Sequence, residues 1–294
     1  MIYELPAHNL YGNKPLLLDF PCTWDVNSYS YAGEKRPALT EEEIRKIILS
    51  PVDAPSIREG ARGCKDAVII VDDISRPTVA DITARIVIEE LLAAGIEKSE
   101  IRFVFATGAH RSMMREDYVR KLGEDLVNEY PVYSHNPFYN NVLLGYGFNH
   151  TPIELNEDCV NADYKVAIGG IFRHPNSGIG GGGKILLPGI ASIESIRRLH
   201  LYSGGNWNVD SMMLSMNIEA SRMLSLDIKI DSLFNGKGEI AELYCGNCET
   251  IIDTHLDEIH AFYAAEKPAP ADLVILNNYF KPTEPSVALS DRSV

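Results

Sequence analysis

Three short apolar runs in this sequence each deliver polar side chains capable of chemistry. Asp72, Asp73, Arg76 and Thr78 follow the first run, Thr107, His110 and Arg111 the second, Arg173 and His174 the third. A guanidinium presents a planar fork that matches a carboxylate bidentately. An imidazole titrates near neutrality, so two of them suit acid and base work on two faces of one substrate. Each residue also has a local explanation: Asp73 could cap a helix, Arg76 could pair with it, and a histidine could simply be satisfied by hydrogen bonds. Their shared position after apolar runs is what points to one rim.

The segment from His174 to Gly189, HPNSGIGGGGKILLPG, carries four consecutive glycines. From Gly178 it matches G-x-x-x-x-G-K, a loop whose backbone N–H groups surround a phosphate and whose lysine neutralises it. Ile185 then stands where a magnesium-holding Ser or Thr belongs, which counts against a P-loop-like nucleotide hydrolase. A plain hinge would not need four glycines, because each costs backbone entropy. Close approach of a bulky ligand to bare backbone accounts for them better. Lys184, between that backbone and Ile185, Leu186 and Leu187, is placed to lose its proton and serve as a covalent attachment point.

The runs that carry these residues alternate with segments of helical spacing. Strands are expected at 67–71, 101–106, 132–134, 142–144 and 165–171, and a helix through 84–92 with Gly95 as its C-cap. Further helices are expected at 41–49, 113–122, 191–200, 218–224 and 254–264, with a hairpin of 226–233 and 239–244 between the last two. This alternation predicts an α/β fold, a largely parallel sheet flanked by helices, with ligands beyond the carboxyl ends of its strands. The Pro/Ala stretch at 266–271 and the apolar run after it at 273–276 divide the chain into 1–268 and 269–294.

Composition removes several function classes. With 27 Lys+Arg against 41 Asp+Glu the 294-residue chain carries −14, which argues against nucleic-acid binding. At 45% hydrophobic and 23% charged residues it can bury a sizeable core without disulfides. No apolar run reaches the ~18 residues of a membrane span. The first residues lack a signal-peptide pattern, so the cytoplasm is the expected compartment. Five scattered cysteines suit a reducing environment. Only Cys245 and Cys248 have metal-ligand spacing, and zinc there would require His255 and His260 to fold back; two thiols in a turn between a strand and a helix is the preferred reading.

The ordered set Asp72-Asp73-x-x-Arg76-Pro77-Thr78, Thr107-Gly108-x-His110-Arg111, His135-Asn136, His174-x-x-Ser177-Gly178-x-x-Gly181-Gly182-Gly183-Lys184-x-x-x-Pro188-Gly189 and His200 resembles the lactate racemase family, the nickel-pincer nucleotide enzymes. The resemblance implies a Rossmann-like α/β domain bearing a pyridinium-3-thioamide-5-thiocarboxylic acid mononucleotide. Lys184 would tether it through the thioamide, nickel would be held by two sulfurs and a ring carbon, and His200 would be the fourth ligand. His110 and His174 would be the catalytic pair and Arg76 would hold the substrate carboxylate; on their chemistry Thr78, Gly181 and Gly182 are candidates for the nucleotide phosphate, through hydroxyl or backbone hydrogen bonds, and Asp72 for the cofactor. A zinc site built from His110, His174 and His200 would leave Lys184 and the glycines unexplained.

The activity so implied is racemisation or epimerisation of a small 2-hydroxy acid through a 2-keto acid. Removing a hydride is easier than removing the weakly acidic α-proton, and it requires an acceptor that no side chain provides. The implied partners are the acid itself and the cofactor-synthesis enzymes. A non-catalytic cofactor-binding module is the alternative. Residues 269–294 are read as the beginning of the second α/β domain that the family carries.

Overall fold

A computed structural model describes residues 1–5, 14–174, 178–201 and 212–275. Its centre is a six-stranded sheet of β3 (Ala67–Asp72), β4 (Ile101–Ala106), β5 (Val132–Ser134), β8 (Tyr164–Gly170), β11 (Ile228–Phe234) and β12 (Ile240–Gly246). The spatial order is β12-β11-β8-β3-β4-β5, parallel throughout except for the β11–β12 hairpin. Every residue of β3 is buried, as expected of a strand covered on both faces. Its side chains alternate, Ile69 and Val71 entering one core and Val68 and Ile70 the other.

The first face is covered by α1 (Glu41–Ile48), α2 (Ile57–Gly60), α3 (Asp81–Ala94), α4 (Arg115–Leu122) and α5 (Glu124–Glu129). A capping box between Thr40 and Glu43 starts α1, and Gly95 ends α3 in the left-handed conformation at φ 104°, as its sequence predicts. The second face is covered by the hairpin of β6 (Asn141–Gly147) and β7 (Thr151–Asn156), by α6 (Glu157–Asn161), α7 (Ile193–Leu201) and α8 (Met212–Leu224), and by the turn Gly182–Ile185. A third cluster joins β11 and β12 to α9 (Ile251–Thr254), α10 (Leu256–Phe262) and the small hairpin of β9 (Phe172–His174) and β10 (Gly178–Gly180). The ribbon of β1 (Ile2–Leu5) and β2 (Leu16–Asp19) forms its own two-stranded sheet. Among the described residues no helix is long and apolar enough to cross a membrane.

The expected α/β sheet is present and its six strands begin and end within two residues of the expected bounds, but the strand expected at 142–144 is instead part of β6, which runs to Gly147 and pairs antiparallel with β7 outside the main sheet. The differences lie in the periphery. The expected helix 254–264 is two pieces, α9 and α10, meeting at His255. Residues 273–275 are exposed and lie in no strand, and 276–294 lie outside the described residues. The strand order reverses between β3 and β8: β4 and β5 extend one way from β3, β8 and β11 the other. The crevice at such a reversal is where α/β sheets bind ligands.

The second half of the glycine run is packed against the protein itself, while Gly180 and Gly181 line the cleft described below. A Cβ on Gly183 would stand 2.2 Å from the backbone oxygen of Asn217 in α8, and one on Gly182 would stand 2.7 Å from the Ile252 side chain. Gly183→Ala should therefore cost at least about 3 kcal/mol, the upper end for overpacking, since helix and turn backbones would have to part. Gly63→Ala, with φ +86° and nothing within 4 Å, is the control and should cost about 1 kcal/mol of backbone strain. Thermal melts of the two variants check the difference.

Candidate active site

A cleft of about 520 Å³ opens at the reversal between β3 and β8, and its lining includes Asp72, Asp73, Arg76, His110, Gly181, Lys184 and His200. Six of the nine residues singled out from sequence therefore line it, and the side chain of His174, which closes β9, lies outside the described residues. Thr78 and Gly182 do not line the cleft. The Thr78 hydroxyl, 1% exposed, donates to Asp72 Oδ2 at 2.7 Å, and the Gly182 N–H donates to Asp231 Oδ2 at 2.8 Å. The loop is a 3-10 turn, and this amide is taken by a carboxylate.

The loop after β3 is held from below. Lys121, fully buried in α4, donates to Asp72 Oδ1 at 2.6 Å and to the Arg76 carbonyl at 3.2 Å. Burial pushes its ammonium pKa down, and the Asp72 carboxylate opposes that. Above this clip Asp73 neither caps a helix nor pairs directly with Arg76. It accepts from His110 Nδ1 at 2.7 Å and from the Ser75 hydroxyl at 2.6 Å, while Arg76 Nη1 donates to the same hydroxyl at 3.2 Å. Burial pushes the Asp73 carboxyl up, but the bond and charge of His110, the charge of Arg76 and the Ser75 bond together hold it below the ordinary carboxylate range. An ionised carboxylate can only accept, so Nδ1 of His110 carries a proton, and whenever the ring is neutral its lone pair lies on Nε2, the arrangement of a general base.

Two loops that carry cleft residues are latched through glycines. Gly108 N–H, at φ +53°, donates to the Gly189 carbonyl at 2.7 Å, and a Cβ on Gly189 would stand 2.1 Å from the Ile185 carbonyl oxygen. The loop bearing His110 is therefore registered against the turn bearing Lys184, which explains why both motifs need glycine there. His200, on α7, shares its Nδ1 with the Ile196 carbonyl at 2.7 Å. The carbonyl can only accept, so Nδ1 carries a proton and the lone pair of the neutral ring lies on Nε2. Metal-binding imidazoles are commonly oriented in this way.

The sequence reading passed over Lys229 and Asp231. Both are wholly buried, both line the cleft, and Lys229 Nζ donates to Asp231 Oδ1 at 2.6 Å. Their signal was available: charges two apart in an otherwise apolar strand share one face. His135 proves structural. Its Nε2 meets the Ala191 carbonyl at 2.9 Å, and burial drives its pKa down to about 4. Unfolded, the ring titrates near 6.5, so between those values only the unfolded chain takes the proton. The His135 contribution is full above about pH 6.5 and declines toward pH 4, by on the order of 3 kcal/mol in all. His135→Asn should lower the melting temperature at pH 7 yet flatten its fall on acidification, checked by melts from pH 4.5 to 7.5.

Cys245 and Cys248 lie where β12 turns toward α9, and burial raises both thiols to about 12. Among the described residues no group of three or more His, Cys, Asp or Glu could hold a metal ion, so the zinc reading there has no support.

Residues 11–211 match the model of the lactate racemase N-terminal domain. The chain is 28% identical over 290 residues to the lactate racemase of Thermoanaerobacterium thermosaccharolyticum, covering 94% of this chain and 67% of that one. The lactate racemase of Lactiplantibacillus plantarum is 32% identical over 192 residues, 60% of this chain but 44% of its own length. Among solved structures, the T. thermosaccharolyticum lactate racemase apoprotein superposes with a TM-score of 0.74 at 24% identity, over 89% of this chain and 63% of that one. A Thermotoga maritima protein superposes at 0.57 with 21% identity, over 74% and 56%. These two likenesses speak for the fold. The domain match spans more than half of the chain and takes in every loop that lines the cleft as far as His200, and on that ground the protein belongs to the lactate racemase family.

Proposed function

We propose that this chain is the cofactor-bearing part of a racemase or epimerase acting on a small 2-hydroxy acid. The observation that carries the reading is the convergence of Lys184, His200, Arg76 and the Asp73–His110 pair on one cleft. A nickel-pincer mononucleotide fits the residues there. A cleft of about 520 Å³ has the capacity of ordinary cofactor sites. Lys184 offers a primary amine for the tether, and Gly180 and Gly181 line the cleft beside it without a side chain. His200 presents Nε2 with Nδ1 held by a carbonyl, and imidazole with sulfur donors suits nickel. Asp72 lines the same cleft and is the remaining candidate for contact with the nucleotide. When bound, this group supplies the hydride acceptor that no side chain provides.

The chain's own residues supply the rest. Arg76 receives the substrate carboxylate in its guanidinium fork. His110 Nε2 takes the hydroxyl proton of one enantiomer as the C2 carbon becomes a keto carbon, and returns it when the carbon is reduced. Asp73 holds the ring in the tautomer this needs and stabilises the imidazolium. His174 is proposed to do the same work for the other enantiomer, and the enzymes that build the cofactor are the implied partners. The chain should be produced together with those enzymes and its intact mass and nickel content measured. One adduct and one nickel per chain are expected; unmodified mass without nickel would refute the reading.

A further inference from the structure

In a protein with 41 acidic and 27 basic side chains an arginine readily finds a carboxylate. Most arginines described here have done so: Arg45 with Glu89, Arg85 with Asp125, Arg102 with Asp66, Arg111 with Asp117, Arg222 with Glu249. The two that line the cleft, Arg76 and Arg173, form no ion pair among the described residues. Arg76 already has a proposed anion, the carboxylate of the substrate. Arg173 has none.

Arg173 sits in β9, whose neighbour Phe172 stacks on Phe234 at 5.9 Å and 8°, so its backbone is anchored to the main sheet. Its side chain is exposed, and its guanidinium meets Nδ1 of His260 in α10 at 3.3 Å. An imidazole nitrogen is a neutral acceptor that uses one donor of five and leaves the charge uncompensated. Elsewhere in the cleft, Asp72 and Asp231 face Lys121 and Lys229, and Asp73 faces His110, so no carboxylate there is left over for Arg173. The cleft is thus locally cationic inside a chain of charge −14.

We propose that Arg173 is a second anion-binding point, so that the cleft accepts a ligand bearing another carboxylate or phosphate besides the group held at Arg76. Applied to the 2-hydroxy acid reading, on which this extension rests, the substrate is a 2-hydroxy dicarboxylate; the same fork would equally grip a phosphate. A charge-assisted pair at a partly exposed site gives about tenfold in affinity.

Calorimetric titration of the purified chain with lactate, malate and inorganic phosphate separates these cases. If the second group is a substrate carboxylate, malate binds about tenfold more tightly than lactate, and Arg173→Gln removes that gap while leaving lactate unchanged. If the second group is a phosphate, Arg173→Gln weakens phosphate about tenfold and leaves the malate-to-lactate ratio as it was. Arg173→Lys keeps the charge and should retain part of either effect. Arg76→Gln weakens both acids alike in every case; if it changes neither, the 2-hydroxy acid reading fails while the Arg173 result still stands by itself. Identical affinities for all three probes in the wild type and Arg173→Gln overturn the proposal. Residue 173 is exposed, so an unchanged melting temperature confirms that the variant is folded.

Discussion

Lys184→Ala is expected to give a folded chain that carries neither adduct nor nickel, with activity below detection. The turn around Lys184 is held by its backbone: Lys184 N–H donates to the Gly181 carbonyl at 3.1 Å, and Leu186 and Leu187 N–H both reach the Gly183 carbonyl. Truncating the side chain leaves those bonds in place, so the variant should still fold, as a thermal melt would show. What disappears is the only amine proposed to form the tether, and His200 alone is one ligand where nickel needs four. His110→Ala supplies the contrast, because it should keep the adduct and the nickel yet lose turnover. An adduct retained in Lys184→Ala, seen by intact mass, would place the tether elsewhere.

Asp73→Asn is expected to lower kcat by about 10³-fold, the middle of the range for general acid–base catalysis, with little change in KM. The substitution conserves shape, but the carboxamide can donate as well as accept, so it no longer obliges His110 to carry its proton on Nδ1. It also removes the negative charge that stabilises the imidazolium. Since His110, Arg76 and Ser75 hold the Asp73 carboxyl below its ordinary range against the effect of burial, it stays ionised as pH falls to the usual carboxylate value. Its stabilising contribution is therefore present above about pH 4 and is lost only as pH drops through its lower folded pKa. Ser75→Ala removes one hydrogen bond from the same carboxylate and should cost at most about tenfold. Steady-state kinetics in both directions, with nickel content as the control for loading, decide the matter.

The sheet was legible because its strands are apolar on both faces, and runs such as 67–71 and 101–106 have no other economical reading. Residues 151–156 were not legible as a strand: TPIELN contains Pro152 and alternates weakly, and it forms β7 by pairing with β6, nearby in sequence but separated by a left-handed turn at Asn149 and His150. The cleft residues were legible as motifs after strands. Their partnerships were not, since Lys121 reaches Asp72 from 49 positions away and His110 reaches Asp73 from 37. The glycines teach a related lesson. Four in a row announced close approach, but sequence could not say that Asn217 of α8, well downstream, is what approaches Gly183.

The two buried Lys–Asp pairs explain how an acidic protein can present a cationic cleft. Lys121 and Lys229 neutralise Asp72 and Asp231 beneath the floor, so beside the Asp73–His110 pair the cavity is lined by the cations Arg76, Arg173 and Lys184. Breaking either pair by removing one partner would leave an uncompensated buried charge, a cost of about 3–5 kcal/mol. The stability of the sheet and the polarity of the cleft are thereby set by the same residues.

The most direct test is to follow a 2-hydroxy acid deuterated at C2 through the cofactor-loaded chain in ordinary water. Hydride removal and return through a 2-keto acid predicts inversion at C2 with the deuterium retained in the inverted product. Inversion accompanied by exchange of deuterium for solvent protons, or no inversion by a chain shown to carry one nickel, would contradict the account.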